Sequence, residues 1–233
     1  MRILGVETAT GQGGVAIVGP EGVLAEVTLS VTAGYGERLL PALDRLLAVA
    51  DLSPEQVDGY AISIGPGSFT GLRIGLATVK GLALATGKPL AAVPTLEALA
   101  AILPFCPHPV CPLLDARKGE VYCALFALEE GEPVRLLEDA VCPLEVLLPK
   151  ITRPTVFVGD GVAAYGDALR LRLRGRALFP PPGRAGASPA VVAARGRARL
   201  LRGEAEDVDR LVPRYLRLAE AELKLKARRE GRP

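Results

Sequence analysis

The sequence predicts an α/β fold made of two similar lobes, each with a mixed sheet flanked by helices. Residues 1–104 give strands and helices in the order βββαβαβα, and three more strands begin after a proline-rich crossing at 104–112. Glu7 and Asp115 each end a first strand, while Gly65-Pro-Gly67 and Gly159-Asp-Gly161 each join a buried strand to a helix. A shared order with paired loops predicts two lobes that aim those loops at a common cleft.

The repeat divides the chain into two domains and a tail. The predicted domains are an N-terminal lobe at 1–104, a C-terminal lobe at 105–211 and a final segment at 212–233. Leucines in that segment, among them Leu216 and Leu218, predict a helix that packs back on the first lobe.

Buried or alternating apolar runs between glycine-containing turns predict the strands, and leucines at helical spacing predict the helices. In the first lobe we expect strands at 2–8, 14–18, 22–29, 60–64 and 90–93, with helices at 36–50, 70–86 and 95–103. In the second lobe we expect strands at 110–115, 120–128, 133–139 and 155–158, and helices near 144–148, from about 162 onward and near 189–201.

Composition excludes several classes of protein. The 233 residues are 49% hydrophobic and 4% aromatic, which is typical of a globular chain with an ample core. The longest uncharged stretch, 98–114, contains four prolines, and this argues against a membrane helix. Four cysteines without Cys-x-x-Cys spacing and no signal-peptide pattern predict a cytoplasmic protein with reduced thiols.

The net charge of +2 hides an uneven distribution of charge. Residues 168–203 contain nine arginines and no acid. Such a segment could meet RNA phosphates or an acidic protein, or it could simply be a set of solvated helix faces. The region 170–202 is therefore one candidate for RNA contact.

The loop after the strand at 60–64 reads Gly65-Pro-Gly-Ser-Phe-Thr-Gly71, and we call it the central loop. Gly65 and Gly67 permit a sharp turn, so free backbone N–H groups would face outward at a helix N-terminus, a geometry that suits an anion. The loop lacks the Gly-Lys-Ser/Thr ending of a P-loop. A tight connection without any ligand is the alternative interpretation.

The helix at 70–86 is apolar on two sides. One side, which should face the sheet, carries Leu72, Gly75, Leu76, Val79 and Ala83. The opposite side is also apolar with mostly small residues, so we predict an association site there unless packing within the lobe covers it. Together with the helix at 36–50, the predicted partner interface comprises Tyr35, Arg38, Ala42, Arg45, Arg73, Ile74, Ala77, Lys80, Gly81 and Leu84.

Four stretches carry a family resemblance: Glu7-Thr-Ala-Thr10, Gly65-Pro-Gly-Ser-Phe-Thr-Gly-Leu-Arg-Ile-Gly75, Thr95-Leu-Glu-Ala-Leu99 and Asp115-Ala-Arg-Lys-Gly-Glu-Val-Tyr122. Through Tyr122 the chain strongly resembles the TsaB (YeaZ) family, whose Gcp-like domain has the duplicated actin/Hsp70-like (ASKHA, RNase H-like) fold. The resemblance implies a dimer through the helices at 36–50 and 70–86, with TsaD or with a second copy. It also implies a non-catalytic role beside TsaD and the ATPase TsaE, which transfer a threonylcarbamoyl group to the adenosine beside the tRNA anticodon.

The chain departs from the catalytic relatives at their functional positions. They carry Val-Asn-His-Leu-Glu-Gly-His where this chain has Val93-Pro-Thr-Leu-Glu-Ala-Leu99, so the resemblance implies no metal site here. Asp160 and Tyr165 replace residues of their nucleotide stretch, so we expect no cofactor on this chain alone and assign ATP and metal to the partners. The cleft loops that could keep vestigial nucleotide contacts contain Glu7, Thr8, Gly65, Gly67, Ser68, Asp115, Gly159 and Gly161.

Two enzymatic alternatives stay open on the sequence. The first is an ATP-dependent phosphotransferase in which Glu7 holds Mg²⁺ through water and Asp115 acts as a base. The second is a protease that uses Ser68, for which His108, the single histidine, would have to be the base.

Overall fold

The computed structural model describes residues 1–31, 34–181 and 183–217 and contains two five-stranded mixed sheets. The first sheet has the order β3-β2-β1-β4-β5, in which β1 is antiparallel to β2 and parallel to β4. Its strands are β1 (Ile3–Glu7), β2 (Gln12–Gly19), β3 (Gly22–Ser30), β4 (Gly59–Ser63) and β5 (Leu90–Val93).

The second sheet repeats the first, with the order β8-β7-β6-β9-β10. Its strands are β6 (Val110–Arg117), β7 (Glu120–Glu129), β8 (Glu132–Pro143), β9 (Thr155–Val158) and β10 (Ala177–Leu178). Strand for strand the two orders are equivalent, which confirms the predicted duplicated fold. The two-residue strand β10 is absent from the sequence prediction because so short a run carries no periodicity.

Six α-helices cover the sheets in the described part of the chain. They are α1 (Leu39–Ala50), α2 (Phe69–Thr86), α3 (Thr95–Ala100), α4 (Leu144–Leu147), α5 (Gly161–Leu173) and α6 (Pro189–Leu201). Helices α1 and α2 share one core with Leu4, Val6 and Ile62 of the first sheet. Helices α4 and α5 pack on the second sheet in the same way. No described helix is long and apolar enough to cross a membrane.

The remaining two helices are exchanged between the lobes. Helix α6 packs on the face of the first sheet that α1 and α2 leave open, and α3 packs on the second sheet against Leu114 and Phe126. A Cβ at Gly196 of α6 would lie 2.2 Å from the Cβ of Ala61, so this helix approaches the strands closely because glycine stands there. By packing, α3 and α6 therefore each belong to the lobe opposite to the one in which they lie along the chain.

An ion-pair cluster joins the two exchanged helices. Glu97 of α3 accepts hydrogen bonds from Arg199 of α6 at 2.9 and 3.0 Å, and from Arg195 of α6 at 3.0 and 3.3 Å. The Glu97 side chain is 12% exposed, whereas Glu132, which also pairs with Arg195, is 62% exposed. The arginines at 195 and 199, counted in the sequence as surface charge, are therefore structural.

The segment after α6 differs from its prediction. Residues 212–217 are described and contain no helix, and the rest of the predicted C-terminal helix lies outside the described residues.

Replacing Glu97 by Ala should lower the free energy of unfolding by about 3 kcal/mol, because two partly buried guanidinium groups lose their shared carboxylate. Urea denaturation at neutral pH measures the loss. The matched control is Glu132→Ala, which removes an exposed partner of the same arginine and should cost below about 1 kcal/mol. Equal losses in the two variants would contradict a structural role for the buried cluster.

Candidate functional site

The loops at the carboxyl ends of β1, β4, β6 and β9 converge on a cavity of about 470 Å³ between the lobes. The first lobe contributes 9–11 and 66–71, and the second contributes 114–118 and Asp160. Residues 214–217 close one side. Of the eight predicted cleft-loop residues, Gly67, Ser68 and Asp115 line this cavity. Gly159 lines a smaller neighbouring one, while Glu7, Thr8, Gly65 and Gly161 line neither of the two.

The central loop is held by reciprocal hydrogen bonds. The Gly65 amide donates to Thr95 Oγ1 at 3.0 Å, and the Thr95 amide donates to the Gly65 carbonyl at 3.0 Å. The Ser68 amide donates to the Ala9 carbonyl at 2.6 Å, and Ser68 Oγ caps α2 by accepting from the Gly71 amide at 3.2 Å. The hydroxyls of Ser68 and Thr95 therefore both have hydrogen-bond partners within the chain.

Glu7 lies beneath the cavity, fully buried. Its Oε1 accepts from the Ala9 amide at 2.6 Å, and its Oε2 accepts from the Ser63 hydroxyl. Burial raises the pKa of Glu7 to about 7, although the Ser63 and Ala9 hydrogen bonds partly oppose that rise. A carboxyl group that is half-protonated near neutrality and sealed from the cavity is a poor magnesium ligand.

The second lobe presents carboxylates at the equivalent position. Asp160 Oδ1 accepts from the Asp115 amide at 3.2 Å, and Asp115 in turn lies 3.3 Å from Arg117. Burial raises the pKa of Asp160, and the nearby Asp115 carboxylate adds to that rise. Both acids line the cavity, but so do Arg117, Lys118, Arg214 and Arg217, so its walls carry both signs of charge.

Residues 206–217, which we call the C-terminal strap, cross the cleft from one lobe to the other. The Arg214 amide donates to the Ile64 carbonyl at 2.7 Å, and Tyr215 stacks on Phe69 with ring centres 4.7 Å apart. On the second lobe, Arg214 pairs with Asp139 at 3.2 Å. Arg217 there donates to the Ala116 carbonyl at 3.2 Å and to Glu120 at 3.0 Å. The sequence analysis missed this element, since its arginines have no helical or alternating pattern.

The protease alternative fails on geometry. His108 lies just before the start of β6, whereas Ser68 and Asp115 lie at the carboxyl ends of their strands. Seven residues of extended chain separate His108 from Asp115 by roughly 23 Å. His108 is therefore at the wrong end of the sheet to accept a proton from Ser68.

The predicted association face of α2 is exposed. Its core side is the predicted one, and Ala77, Gly81 and Leu84 on the other side are open to solvent, with Leu84 61% exposed. On the rim, Arg73 Nε donates to the Tyr215 hydroxyl at 3.1 Å. Lys80 Nζ donates to two strap carbonyls, each at 3.2 Å.

Two members of the predicted interface need correction. Tyr35 is 2% exposed and donates its hydroxyl hydrogen to the Thr10 carbonyl at 2.9 Å, while Ala42 is 5% exposed in the first core. Helix α1 begins at Leu39, and its orientation buries Ala42 and leaves Leu40 61% exposed. Leu40 replaces them on the surface, and Arg38 and Arg45 are exposed as predicted.

Replacing Glu7 by Gln should remove a pH-dependent part of the stability. Because the pKa is raised from 4.5 to about 7, the folded state holds a proton that the unfolded chain loses, so the stabilisation present below pH 4.5 is lost as the pH rises through 7. The unfolding free energy of E7Q relative to wild type should therefore rise by up to about 3 kcal/mol between pH 5 and pH 8. Urea titrations at both values test this, with the exposed Glu21→Gln as control. A pH-independent difference for E7Q would refute it.

Replacing Gly65 by Ala should destabilise the chain by about 2 kcal/mol. The backbone has φ +112° there, and an added Cβ would lie 2.5 Å from the Arg214 carbonyl oxygen. Gly81→Ala is the control, because its Cβ meets open space on a helix and should stabilise by about 0.5–1 kcal/mol. Thermal unfolding compares the two. An unchanged melting temperature for G65A would mean that the strap does not press on the central loop.

The chain is similar in sequence to known proteins. The family model for TsaD, tRNA N6-adenosine threonylcarbamoyltransferase, matches residues 22–225. The tRNA threonylcarbamoyladenosine biosynthesis protein TsaB of Bacillus subtilis is 32% identical over 231 residues, which cover 96% of this chain and 97% of that protein.

Solved structures also resemble this chain. YeaZ from Pseudomonas aeruginosa superposes with a TM-score of 0.76 at 27% identity, covering 92% of this chain and 100% of that one. Component A of (R)-2-hydroxyglutaryl-CoA dehydratase from Acidaminococcus fermentans shares the fold, with a TM-score of 0.51 at 12% identity over 86% of this chain and 99% of that one. The repeated sheet order and these matches together show that the chain belongs to the TsaB (YeaZ) family, within the TsaD group of duplicated actin-like (ASKHA) proteins.

Proposed function

We propose that this chain is a non-catalytic subunit in tRNA threonylcarbamoyladenosine biosynthesis. Its partners would be a TsaD-like catalytic relative and a TsaE-like ATPase, and the complex would transfer a threonylcarbamoyl group to the adenosine beside the tRNA anticodon. The Bacillus subtilis relative is named for this biosynthesis, and the match covers 97% of that protein. The observation that carries the proposal is the exposed apolar face of α2.

That face has the properties of a helix-docking surface. Ala77 and Gly81 are small and exposed, so the backbone of a partner helix could approach α2 closely. Leu84 on α2 and Leu40 on α1 are each 61% exposed and would lose that contact with water on docking. Both helices belong to one core on the same side of the first sheet, so they offer a two-helix platform. A matching pair of helices from the partner would complete a four-helix arrangement.

The residues around the cleft favour a non-catalytic role for this chain. The metal-ligating positions of the catalytic relatives hold Thr95, which binds the central loop, and Leu99, which is fully buried. Glu7 is fully buried and does not line the cavity, so its carboxylate is badly placed to hold a metal ion there. We therefore assign ATP and metal to the partner subunits. The same features weigh against the independent phosphotransferase considered from the sequence.

Two further assignments belong to the proposal. In the absence of the catalytic partner, a second copy of this chain would occupy the α1–α2 platform and form a homodimer. Because the pathway acts on tRNA, we place the chain in the cytoplasm, where tRNA is modified.

Replacing Leu84 or Ala77 by Glu should abolish co-elution with the TsaD-like partner, because a carboxylate at a dry helix interface lacks a counter-charge. Size-exclusion chromatography of the purified pair measures this, and circular dichroism confirms that the variants are folded. The matched control is Leu171→Glu on α5, the helix equivalent to α2 in the second lobe, where the leucine is 76% exposed. Co-elution that survives both L84E and A77E would refute the docking face.

Reconstitution tests the activity itself. With TsaD-like and TsaE-like proteins, ATP and unmodified tRNA, modification should require this chain and should fall at least tenfold with L84E. Turnover of ATP by the isolated chain with a candidate acceptor would instead support the phosphotransferase.

A further inference from the structure

The second lobe carries a cationic surface at the end opposite the cleft. It consists of Lys150, Arg153, Arg172, Arg174 and Arg176, all exposed, and we call it the basic corner. Lys150 and Arg153 precede β9, Arg172 lies in the last turn of α5, and the other two follow α5 in a short 3-10 turn before β10.

The fold brings these two stretches of chain together. β10 pairs with β9 in parallel, with Ala177 opposite Thr155, so the residues just before both strands lie at one edge of the sheet. Arg176 Nη1 donates to the Ile151 carbonyl at 2.7 Å, which ties the 3-10 turn to the segment between Lys150 and Arg153. The corner is therefore continuous, although its members come from positions up to 26 residues apart (176 − 150).

Little negative charge opposes it. Residues 146–203 contain eleven basic side chains and only two acids, Asp160 and Asp167. Asp160 lines the cleft at the other end of the lobe, and Asp167 is paired with Arg170 at 2.9 Å. Within the described residues, Arg153, Arg172 and Arg174 form no ion pair, so their charge is available to a ligand.

The structure also separates this corner from the other arginines of the segment. Arg195 and Arg199 are bound to Glu97, Arg197 donates to the Met1 carbonyl at 2.9 Å, and Arg202 pairs with Glu204. The arginines that the sequence groups in one run thus fall into a structural set on α6 and an exposed set on the second lobe.

We propose that the basic corner binds the phosphate backbone of tRNA, a role that rests on the proposed function in tRNA modification. Guanidinium groups match phosphate in charge and in planar geometry. A docking protein would require an apolar centre within the charged rim, and the exposed Leu171 beside Arg172 is a single side chain, too small for such a centre. Contacts of this kind position an RNA without reading its sequence, so the corner orients the tRNA while the catalytic partner recognises the modified nucleoside.

The test measures binding of a fluorescently labelled, unmodified tRNA transcript to the full chain by anisotropy, from 50 to 300 mM KCl. The triple variant R153A/R172A/R174A should reduce the slope of log affinity against log salt by about two to three and weaken binding at 100 mM salt at least about tenfold. The triple Lys variant at the same three positions keeps the charge and should therefore keep the salt slope within about one of wild type.

A second triple variant controls for net charge. R184A/R202A/R210A removes three exposed arginines outside the basic corner and the α1–α2 platform and should leave the slope within about one of wild type. Equal losses in both Ala triples, or no loss in the first, would overturn the proposal. Loss of co-elution with the TsaD-like partner and unchanged tRNA affinity would identify a protein-binding surface and would also overturn it. The tRNA affinity is measured on the chain alone. It therefore tests the basic corner even if the L84E experiment refutes the docking face.

Discussion

One carboxylate, that of Glu97, sits between the two helices that the lobes exchange, and the relative position of the lobes depends on it. Arg195 and Arg199 reach it from α6, while Glu97 itself belongs to α3. Each exchanged helix fills the open face of the opposite sheet, so neither lobe has a complete core alone. The two lobes therefore fold as one unit, and the cleft between them has fixed walls.

The cleft is built from the loops at the carboxyl ends of β1, β4, β6 and β9, and several of their polar groups are used in contacts within the chain. In the central loop the Gly65 and Ser68 amides donate to Thr95 and Ala9, Glu7 is sealed beneath the loop, and Asp160 faces the cavity from the second lobe. The C-terminal strap then joins Ile64 on one side to Glu120 and Asp139 on the other. Such an arrangement holds its shape well, which is consistent with a scaffold.

Two surfaces outside the cleft would carry the interactions of such a scaffold, and they use different physics. The α1–α2 platform offers small and apolar groups, and they would contribute binding free energy because docking removes their surface from water. The basic corner offers positive charge. Its contribution to binding free energy would come from releasing the counterions of a polyanion, and it would become weaker as the salt concentration rises. They lie on different lobes, so a helical partner and an RNA could be bound at the same time.

The sequence by itself determined the element order, the buried side of α2, the repeat of the two lobes and the family, because these depend on periodicity and on glycine-rich strings that are local in the chain. It could not determine that α3 and α6 pack on the sheet of the opposite lobe, because a buried helix has the same apolar pattern whichever sheet covers it. It also misjudged Tyr35, which lies before the start of α1 and is buried, and Ala42, which lies on the buried face of α1 with the leucines of its core stripe. The strap, the buried state of Glu7 and the division of the arginines into structural and exposed sets depend on contacts between residues far apart in the chain. Those contacts exist only once the two sheets are packed together, and tertiary structure alone decided them.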